Sequence, residues 1–107
     1  MKRNFTLRFH PAVHQDIQKA IDFYREQTLN EALSSRFLET LEAAFNKLIS
    51  NALHYQVRYD DIRLLPLPTF PFCIHYRVNL AENLATVEGI FHDHQNPENW
   101  KSRTKTK

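Results

Sequence analysis

The stretch of residues 61–100 constrains the fold most, because it holds three short runs rich in β-branched and aromatic side chains. The runs span residues 61–68, 70–78 and 86–100, and proline, asparagine and other polar residues separate them. This pattern is typical of antiparallel strands joined by turns. The second half of the chain is therefore predicted to form a β-meander.

The middle run alternates between two classes of side chain, so the two faces of its strand are predicted to differ. One face carries the apolar residues Phe72, Ile74, Tyr76 and Val78. The other face carries Cys73, His75 and Arg77. We expect the first set to pack against helices and the second to lie on a sheet surface that the helices leave open.

Two amphipathic helices are predicted upstream, after a short alternating strand at residues 5–9. Apolar residues recur at helical spacing in two stripes: Val13, Ile17, Ala20, Ile21 and Tyr24, then Leu33, Phe37, Leu41, Ala44, Phe45 and Leu48. Pro11 suits the first turn of the first helix, and Asn30 suits the N-cap of the second. Because only two or three residues join the helices, they must run antiparallel as a hairpin.

These elements predict an α+β fold: an N-terminal strand, a two-helix antiparallel hairpin, then an antiparallel β-meander, with four to five strands in total. The 107 residues are expected to form one domain, 1–107. A single cysteine, Cys73, excludes an internal disulfide framework and fits a reducing cytoplasm. The sequence has no apolar run long enough to span a bilayer, so no membrane partner is expected.

The net charge of +2 is unevenly distributed along the chain. Lys2 and Arg3 at the start, and four basic residues within 101–107, leave a body of eight basic and twelve acidic residues. We expect residues 101–107 to form a basic, flexible tail, which is either simply solvated or in contact with phosphate. The composition is not the strongly basic one of a dedicated nucleic-acid-binding protein.

Arginine and histidine side chains recur along the predicted sheet and are the first candidates for chemistry. They are Arg58, Arg63, His75, Arg77, His92 and His94. Arginine binds phosphate bidentately and histidine exchanges protons near neutral pH, so such a set suits ribonuclease chemistry without a metal. The alternative is a set of solvated or ion-paired surface residues, with nearby carboxylates as partners.

Other candidates have simpler interpretations. His92 and His94 lie two residues apart on a strand and point the same way, but no third ligand has recognisable zinc spacing, so neither a metal nor another cofactor is expected. Cys73 has no local signature of a nucleophile and is interpreted as a small apolar group. Residues 96–100 are predicted to form a turn that lays Trp100 back against the domain.

The order of elements and several short motifs resemble the RelE/ParE toxin superfamily of bacterial type II toxin–antitoxin systems. The matching segments are residues 9–12, 16–17, 23–24, 58–59, 61–63, 70–72, 74–78, 90–92 and 96–97, with Trp100. The resemblance covers about residues 5–100. It implies a small toxin, associated with plasmid stabilisation in bacteria, that a cognate antitoxin neutralises in a hetero-oligomeric complex.

The resemblance implies two branches with different targets. RelE-like toxins cleave messenger RNA on the ribosome, whereas ParE-like toxins poison DNA gyrase without a catalytic set. By this resemblance, Cys73 stands where RelE-like toxins carry an active-site arginine, and His94 and Gln95 stand where consecutive arginines often continue the last strand. The sequence therefore favours a ParE-like toxin acting on gyrase.

Two alternatives remain beside the ParE-like hypothesis. The first is ribosome-dependent mRNA cleavage, with Arg63 and Arg77 holding phosphate and His92 or His94 transferring protons. The second is an inactive scaffold that binds its partner without toxicity. For all three, Arg58, His75 and Trp100 are the candidates for the surface that contacts the antitoxin or target.

Overall fold

A computed structural model describes residues 3–28 and 31–105 of the chain. The elements in order are β1 (Thr6–Phe9), α1 (Val13–Thr28), α2 (Glu31–Asn51), β2 (Val57–Tyr59), β3 (Ile62–Pro66), β4 (Phe72–Asn79), β5 (Leu84–His92) and α3 (Pro97–Thr104). The predicted N-terminal strand, helical hairpin and β-meander are all confirmed. The predicted N-cap at Asn30 lies outside the described residues. None of the helices in the described ranges is both long and apolar enough to cross a membrane.

The five strands form one sheet in the order β1-β5-β4-β3-β2. β2 to β5 are antiparallel neighbours, but β1 pairs with β5 in parallel, with Thr6 opposite Leu84 and Phe9 opposite Val87. The parallel pairing of β1 thus departs from the antiparallel arrangement of the other four strands. The physical reason is that no tight turn joins β1 to its neighbour, so its direction is not set by a hairpin connection.

The main core lies between one face of the sheet and the α1–α2 hairpin. Phe37, Leu48, Ile74 and Tyr76 are completely buried there. The predicted stripes of α1 and α2 supply the helical side of this core. The hydroxyl of Tyr76 donates to the carbonyl of Ala52 at 2.6 Å, so even the polar atom of that side chain is paired. The predicted packing of the apolar face of β4 against the hairpin is confirmed.

The third helix, α3, corrects two expectations. It covers part of the sheet face that was predicted to be open, and it replaces the turn predicted for residues 96–100. Residues 101–104, placed in the predicted flexible tail, form its second half. The side chain of Asn96 accepts a hydrogen bond from the backbone N–H of Glu98 at 3.0 Å, and Pro97 occupies the first helical position. An N-cap asparagine followed by proline is a helix-start signal, so the sequence did contain a cue for α3.

Candidate functional site

Beneath α3, four aromatic rings form a cluster on the face of the sheet opposite the hairpin. The ring of His75 lies 4.9 Å from Phe91, 5.3 Å from Trp100 and 5.7 Å from Tyr59. Tyr59 and Trp100 are 4.5 Å apart. We call these residues (Tyr59, His75, Phe91 and Trp100) the aromatic cluster. It brings together two of the candidate binding residues, His75 and Trp100, but buries His75 to 3% exposure, so this histidine offers no contact surface in the structure.

The imidazole of His75 is paired within the aromatic cluster. Its Nδ1 lies 2.9 Å from the hydroxyl of Tyr59, within hydrogen-bonding distance. Burial lowers the pKa of His75 from 6.5 to about 4, and burial raises the pKa of Tyr59. A neutral imidazole therefore faces a protonated phenol at neutral pH, an arrangement suited to proton transfer only if water or substrate can reach it.

Arg77 lies on the same face, next to the aromatic cluster, and each of its three guanidinium nitrogens donates to an acceptor. Its Nη1 lies 2.7 Å from both carboxylate oxygens of Asp61, and its Nε lies 2.9 Å from the carboxylate of Glu88. Its Nη2 donates to the carbonyl of Thr104, the last residue of α3. The guanidinium thus holds the C-terminal end of α3 on the sheet.

Arg103 holds the same helix to α1. It makes two hydrogen bonds with the carboxylate of Asp16, at 2.8 and 3.0 Å, and a third with the carbonyl of Glu88 at 3.3 Å. Oδ2 of Asp16, which accepts from Nη1 of Arg103, also accepts from the backbone N–H of Ile90 at 3.1 Å. Asp16 is only 8% exposed, so its charge depends on these partners for compensation.

Gly89 makes room for this arrangement. The ring of Phe91 occupies the space that a Cβ on Gly89 would need, and the guanidinium of Arg103 lies 5.1 Å from the centroid of that ring. A register shift in β5 accompanies it: Gly89 pairs with His75 and Val87 pairs with Tyr76, which leaves Glu88 as the extra residue of a bulge. The only glycine of the chain therefore allows a close approach between ring and backbone.

Arg63 lies on the other face of the sheet from this cluster, and Arg58 lies on β2 beside Tyr59. Arg63 pairs with Tyr76 on the hairpin face of the sheet, where its Nη1 donates to the carbonyls of Tyr55 at 2.6 Å and Leu53 at 3.4 Å. It therefore closes the loop between α2 and β2. Arg58 is exposed on β2, an edge strand, and is available for contact with another molecule.

The two histidines at the end of β5 form a separate group with Cys73. The rings of His92 and His94 are 5.6 Å apart, and the thiol of Cys73 donates to Asp93 at 3.4 Å. Burial, together with Asp93, raises the pKa of the Cys73 thiol to about 12, which makes it a poor nucleophile. Within residues 3–28 and 31–105, no three His, Cys, Asp or Glu side chains are grouped so as to hold a metal ion.

The four candidate catalytic residues are not brought together. Arg63 and Arg77 lie on opposite faces of the sheet, and both guanidinium groups are engaged. His92 pairs with Phe72, five residues along β4 from Arg77, which corresponds to about 17 Å at the usual rise per residue of a strand. The residue missed by sequence reasoning is Tyr59, whose position beside His75 becomes evident only from the pairing of β2 with β3.

Comparisons with known proteins bear on this geometry. A family model described as "ParE toxin of type II toxin-antitoxin system, parDE" matches residues 7–97. Among curated proteins, none matches the chain significantly.

Two solved structures share the fold. One is titled "Chromosomal ParDE TA system from P. aeruginosa"; it is 16% identical, with a TM-score of 0.67, and the match covers 84% of this chain and 97% of that one. The other is the toxin–antitoxin complex RelBE2 from Mycobacterium tuberculosis, also 16% identical, with a TM-score of 0.53 and coverage of 83% and 98%. At this identity the two structures establish similarity of fold alone.

Proposed function

The chain belongs to the ParE toxin family of type II toxin–antitoxin systems, and from this premise we propose that it is a growth-inhibiting toxin of the bacterial cytoplasm. The family match confirms the resemblance to RelE/ParE toxins inferred from the motifs. A cognate antitoxin is its expected partner, because both similar structures come from toxin–antitoxin systems. The pair is expected to form a hetero-oligomer in which the toxin is inactive.

We further propose that the toxin acts on DNA gyrase by binding and without cleaving RNA. The observation that supports this is the separation of its candidate catalytic side chains. Arg77 is neutralised by two carboxylates, Arg63 is bound to backbone carbonyls, and His92 lies at the far end of the sheet. Acid–base catalysis needs its groups within hydrogen-bonding reach of one substrate, and this arrangement does not provide them.

A supercoiling assay tests this proposal. Relaxed plasmid is incubated with purified gyrase, ATP and increasing amounts of the toxin, and supercoiled product is expected to fall as toxin rises. Heat-denatured toxin at the same concentrations is the control for non-specific effects. Unchanged supercoiling at every ratio of toxin to gyrase would reject gyrase as the target.

Ribosome-dependent mRNA cleavage is the second candidate, and the hydrogen-bonded pair of Tyr59 and His75 is the specific observation in its favour. Arg77 lies on the same face of the sheet, so a proton-transferring pair and a cation share one region. Primer extension on translating ribosomes distinguishes the two functions. If cleavage occurs and the pair of Tyr59 and His75 carries it, His75→Gln is expected to lower the cleavage rate about a hundredfold. If instead the candidate catalytic residues predicted from the sequence carry the reaction, Arg63→Ala and His92→Ala are each expected to lower the cleavage rate about a hundredfold.

Inducible expression distinguishes a toxin from the third candidate, a scaffold without toxicity. A toxin lowers colony counts after induction, whereas a scaffold leaves them unchanged. Expression of Phe37→Ala, which removes a completely buried ring, serves as the control for the burden of producing an unstable protein.

A further inference from the structure

The two edges of the sheet differ in how far they are protected against pairing with a further strand. β2 contains a register shift between Val57 and Tyr59, and Asp60, which follows it, has a φ of 49°. Such irregularities interrupt the ladder and disfavour the addition of another strand. β1 instead pairs with β5 in continuous register, and its four residues include no proline and one charged residue, Arg8. The β1 edge is therefore the less protected of the two.

The backbone of β1 presents alternate residues to β5 and to the free edge. The N–H groups of Thr6 and His10 donate to carbonyls of residues 83–87, each at 2.8 Å. Peptide groups two residues apart point the same way in a strand, so the N–H and C=O groups of Leu7 and Phe9 point away from β5. These four groups are the hydrogen-bonding capacity that the β1 edge offers to another strand.

Exposed apolar side chains accompany these backbone groups on the hairpin face. Phe9 is 46% exposed, and its ring contacts that of Phe45 of α2 edge to face at 5.2 Å. Ile49, one turn further along α2, is 37% exposed, and its carbonyl accepts from the N–H of Phe5 at 2.7 Å. We call Phe9, Phe45 and Ile49 the edge patch. A paired strand covers such a surface well, because its backbone bonds supply affinity while its alternate side chains supply specificity.

The β1 strand of a second copy of this chain fits this edge in one preferred register. In an antiparallel pair with two-fold symmetry one residue lies opposite itself, and for good overlap of the strands that residue is Leu7 or Arg8. Self-pairing at Arg8 would set two like charges directly opposite each other, which is destabilising. Self-pairing at Leu7 instead sets Thr6 opposite Arg8 and Phe5 opposite Phe9. The two Leu7 residues then exchange N–H to C=O bonds, and the N–H of Phe9 reaches the carbonyl of Phe5.

The same register brings opposite charges together on the α3 face of the sheet. Arg8 and Glu82 are both exposed, and neither forms an ion pair with another residue that the structure describes. Glu82 lies in the turn between β4 and β5, next to Asn83, whose carbonyl accepts from the N–H of Thr6. Because Arg8 of the second copy lies opposite Thr6, its side chain can reach Glu82 of the first copy. The symmetry repeats this contact, so the pairing is complementary in charge.

We propose that β1 is a self-association edge, at which two copies of this chain pair their β1 strands antiparallel about Leu7. Phe9 of each copy then lies over Phe5 and the edge patch of the other. The occupant is a second copy because the backbone groups, the apolar side chains and the charges of this edge all complement their own two-fold image. Each copy contributes a strand of only four residues, so the dimer is weak and reversible, below the size of about 1,600 Å² usual for stable interfaces.

Sedimentation of the full-length protein is the first measurement. A reversible dimer is expected, with a dissociation constant between about 10 μM and 1 mM, the range of weak protein–protein contacts. A monomer at every concentration up to about 1 mM would overturn the proposal. The proposed function is not needed for this inference. A dimer that does not inhibit gyrase would reject only the proposed function, and gyrase inhibition by a strict monomer would reject only the self-association edge.

Cysteine cross-linking tests the register. In a Cys73→Ser background, Leu7→Cys and Arg8→Cys are compared under oxidation by copper phenanthroline. Opposite residues of a hydrogen-bonded antiparallel pair have Cα atoms about 5.5 Å apart, which a disulfide can bridge, whereas the two residues 8 would be more than about 7 Å apart. Leu7→Cys is expected to form the covalent dimer at least about tenfold faster. Equal rates, or faster cross-linking through position 8, would refute the pairing about Leu7.

A charge swap tests the contact between the two copies. Arg8→Glu and Glu82→Arg are each expected to weaken the dimer by about fivefold, because each sets like charges together at two symmetric contacts. The double variant restores opposite charges and should return the dissociation constant to within about twofold of the original value. Arg36→Glu, at an exposed position of α2, is the control for charge reversal. No recovery in the double variant, or equal weakening by the control, would contradict the proposed contact.

A matched pair of apolar substitutions distinguishes the two edges of the sheet. Phe9→Ser removes the exposed ring of the edge patch and is expected to weaken the dimer by about fivefold. Val57→Ser is the control, since Val57 is exposed to a similar extent, 47%, but lies on β2 at the opposite edge. The control should leave the dissociation constant unchanged. A dimer that Val57→Ser weakens and Phe9→Ser does not would assign self-association to β2 and overturn the proposal.

Discussion

The two faces of the sheet are built from alternate residues of the same strand but are covered in different ways. On the hairpin face, Ile74 and Tyr76 enter an apolar core that α1 and α2 cover. On the opposite face, His75 and Arg77 lie under the short helix α3, where rings, ion pairs and hydrogen bonds hold the cover in place. The hairpin face is stabilised mainly by burial of apolar side chains, and the α3 face is stabilised mainly by pairing of polar groups.

This difference predicts which changes, substitution or pH, lower the stability of each face. Apolar burial is non-directional, so the hairpin face responds mainly to lost volume. A buried imidazole or carboxylate is instead destabilising as soon as it loses a hydrogen-bond partner or changes its protonation state, because its desolvation cost is then no longer offset. The hairpin face should therefore give the largest losses of stability on truncation, and the α3 face should give the dependence on pH.

Loss of a ring from the hairpin face is the largest expected effect. Phe37 is completely buried and its ring lies 5.3 to 5.6 Å from those of Phe70, Phe72 and Tyr24. Phe37→Ala is expected to lower the free energy of unfolding by about 4 kcal/mol, the usual cost of the lost contacts and the resulting cavity. Urea denaturation followed by circular dichroism measures it. Leu38→Ala, at the neighbouring exposed position, is the control, and a comparable loss there would show that helix α2 as a whole is fragile.

Acid should destabilise the α3 face through His75. The pKa of this histidine is about 4 in the folded chain against an ordinary value of 6.5. Because the folded value is the lower one, the unfolded chain takes up the proton first as the pH falls. The stability contributed by neutral His75 is then fully present above about pH 6.5 and is lost progressively towards pH 4, by about 3 kcal/mol in total.

NMR titration of the His75 ring tests this prediction without unfolding the protein. The midpoint is expected near pH 4, and Trp100→Ala, which removes a ring lying 5.3 Å away, should raise it because the imidazole becomes more accessible to water. A midpoint near 6.5 in the unaltered protein would show that α3 does not bury the ring in solution. The difference in urea denaturation between pH 7 and pH 4.5 should be smaller in His75→Gln than in the unaltered protein.

The ion pair between α1 and α3 should give a smaller loss. Asp16→Asn keeps an oxygen for the N–H of Ile90 but removes the charge that Arg103 faces, and we expect a loss of about 2 kcal/mol. Arg103→Met removes the other partner, and the double variant completes a thermodynamic cycle. Coupling of at least about 1 kcal/mol is expected for direct partners. Strict additivity of the two losses would mean that the pair contributes nothing specific to holding α3.

The contrast also explains how much the sequence could predict. The hairpin face was predictable because periodicity reports burial directly, and Phe72, Ile74 and Tyr76 are buried against the helices as expected. The cover of the opposite face, helix α3, was not predictable, because this helix is short and polar and contacts the sheet through only a few side chains such as Trp100 and Arg103. The pairing of Tyr59 with His75 depends on β2, a strand of three residues at the sheet edge, which no periodic pattern could reveal.

The smallest effects come from a matched pair of hydroxyl deletions, one on each face. Tyr76→Phe removes the donor to the carbonyl of Ala52 on the hairpin face, and Tyr59→Phe removes the partner of His75 Nδ1 on the α3 face. Each is expected to cost about 1 kcal/mol, because each leaves one buried polar atom without its partner while the ring is kept. Only Tyr59→Phe should move the ring resonances of His75, since its hydroxyl contacts that imidazole directly. Equal movement of those resonances in both variants would mean that the two faces respond to substitution together, and the contrast between an apolar and a polar face would no longer describe how the protein is stabilised.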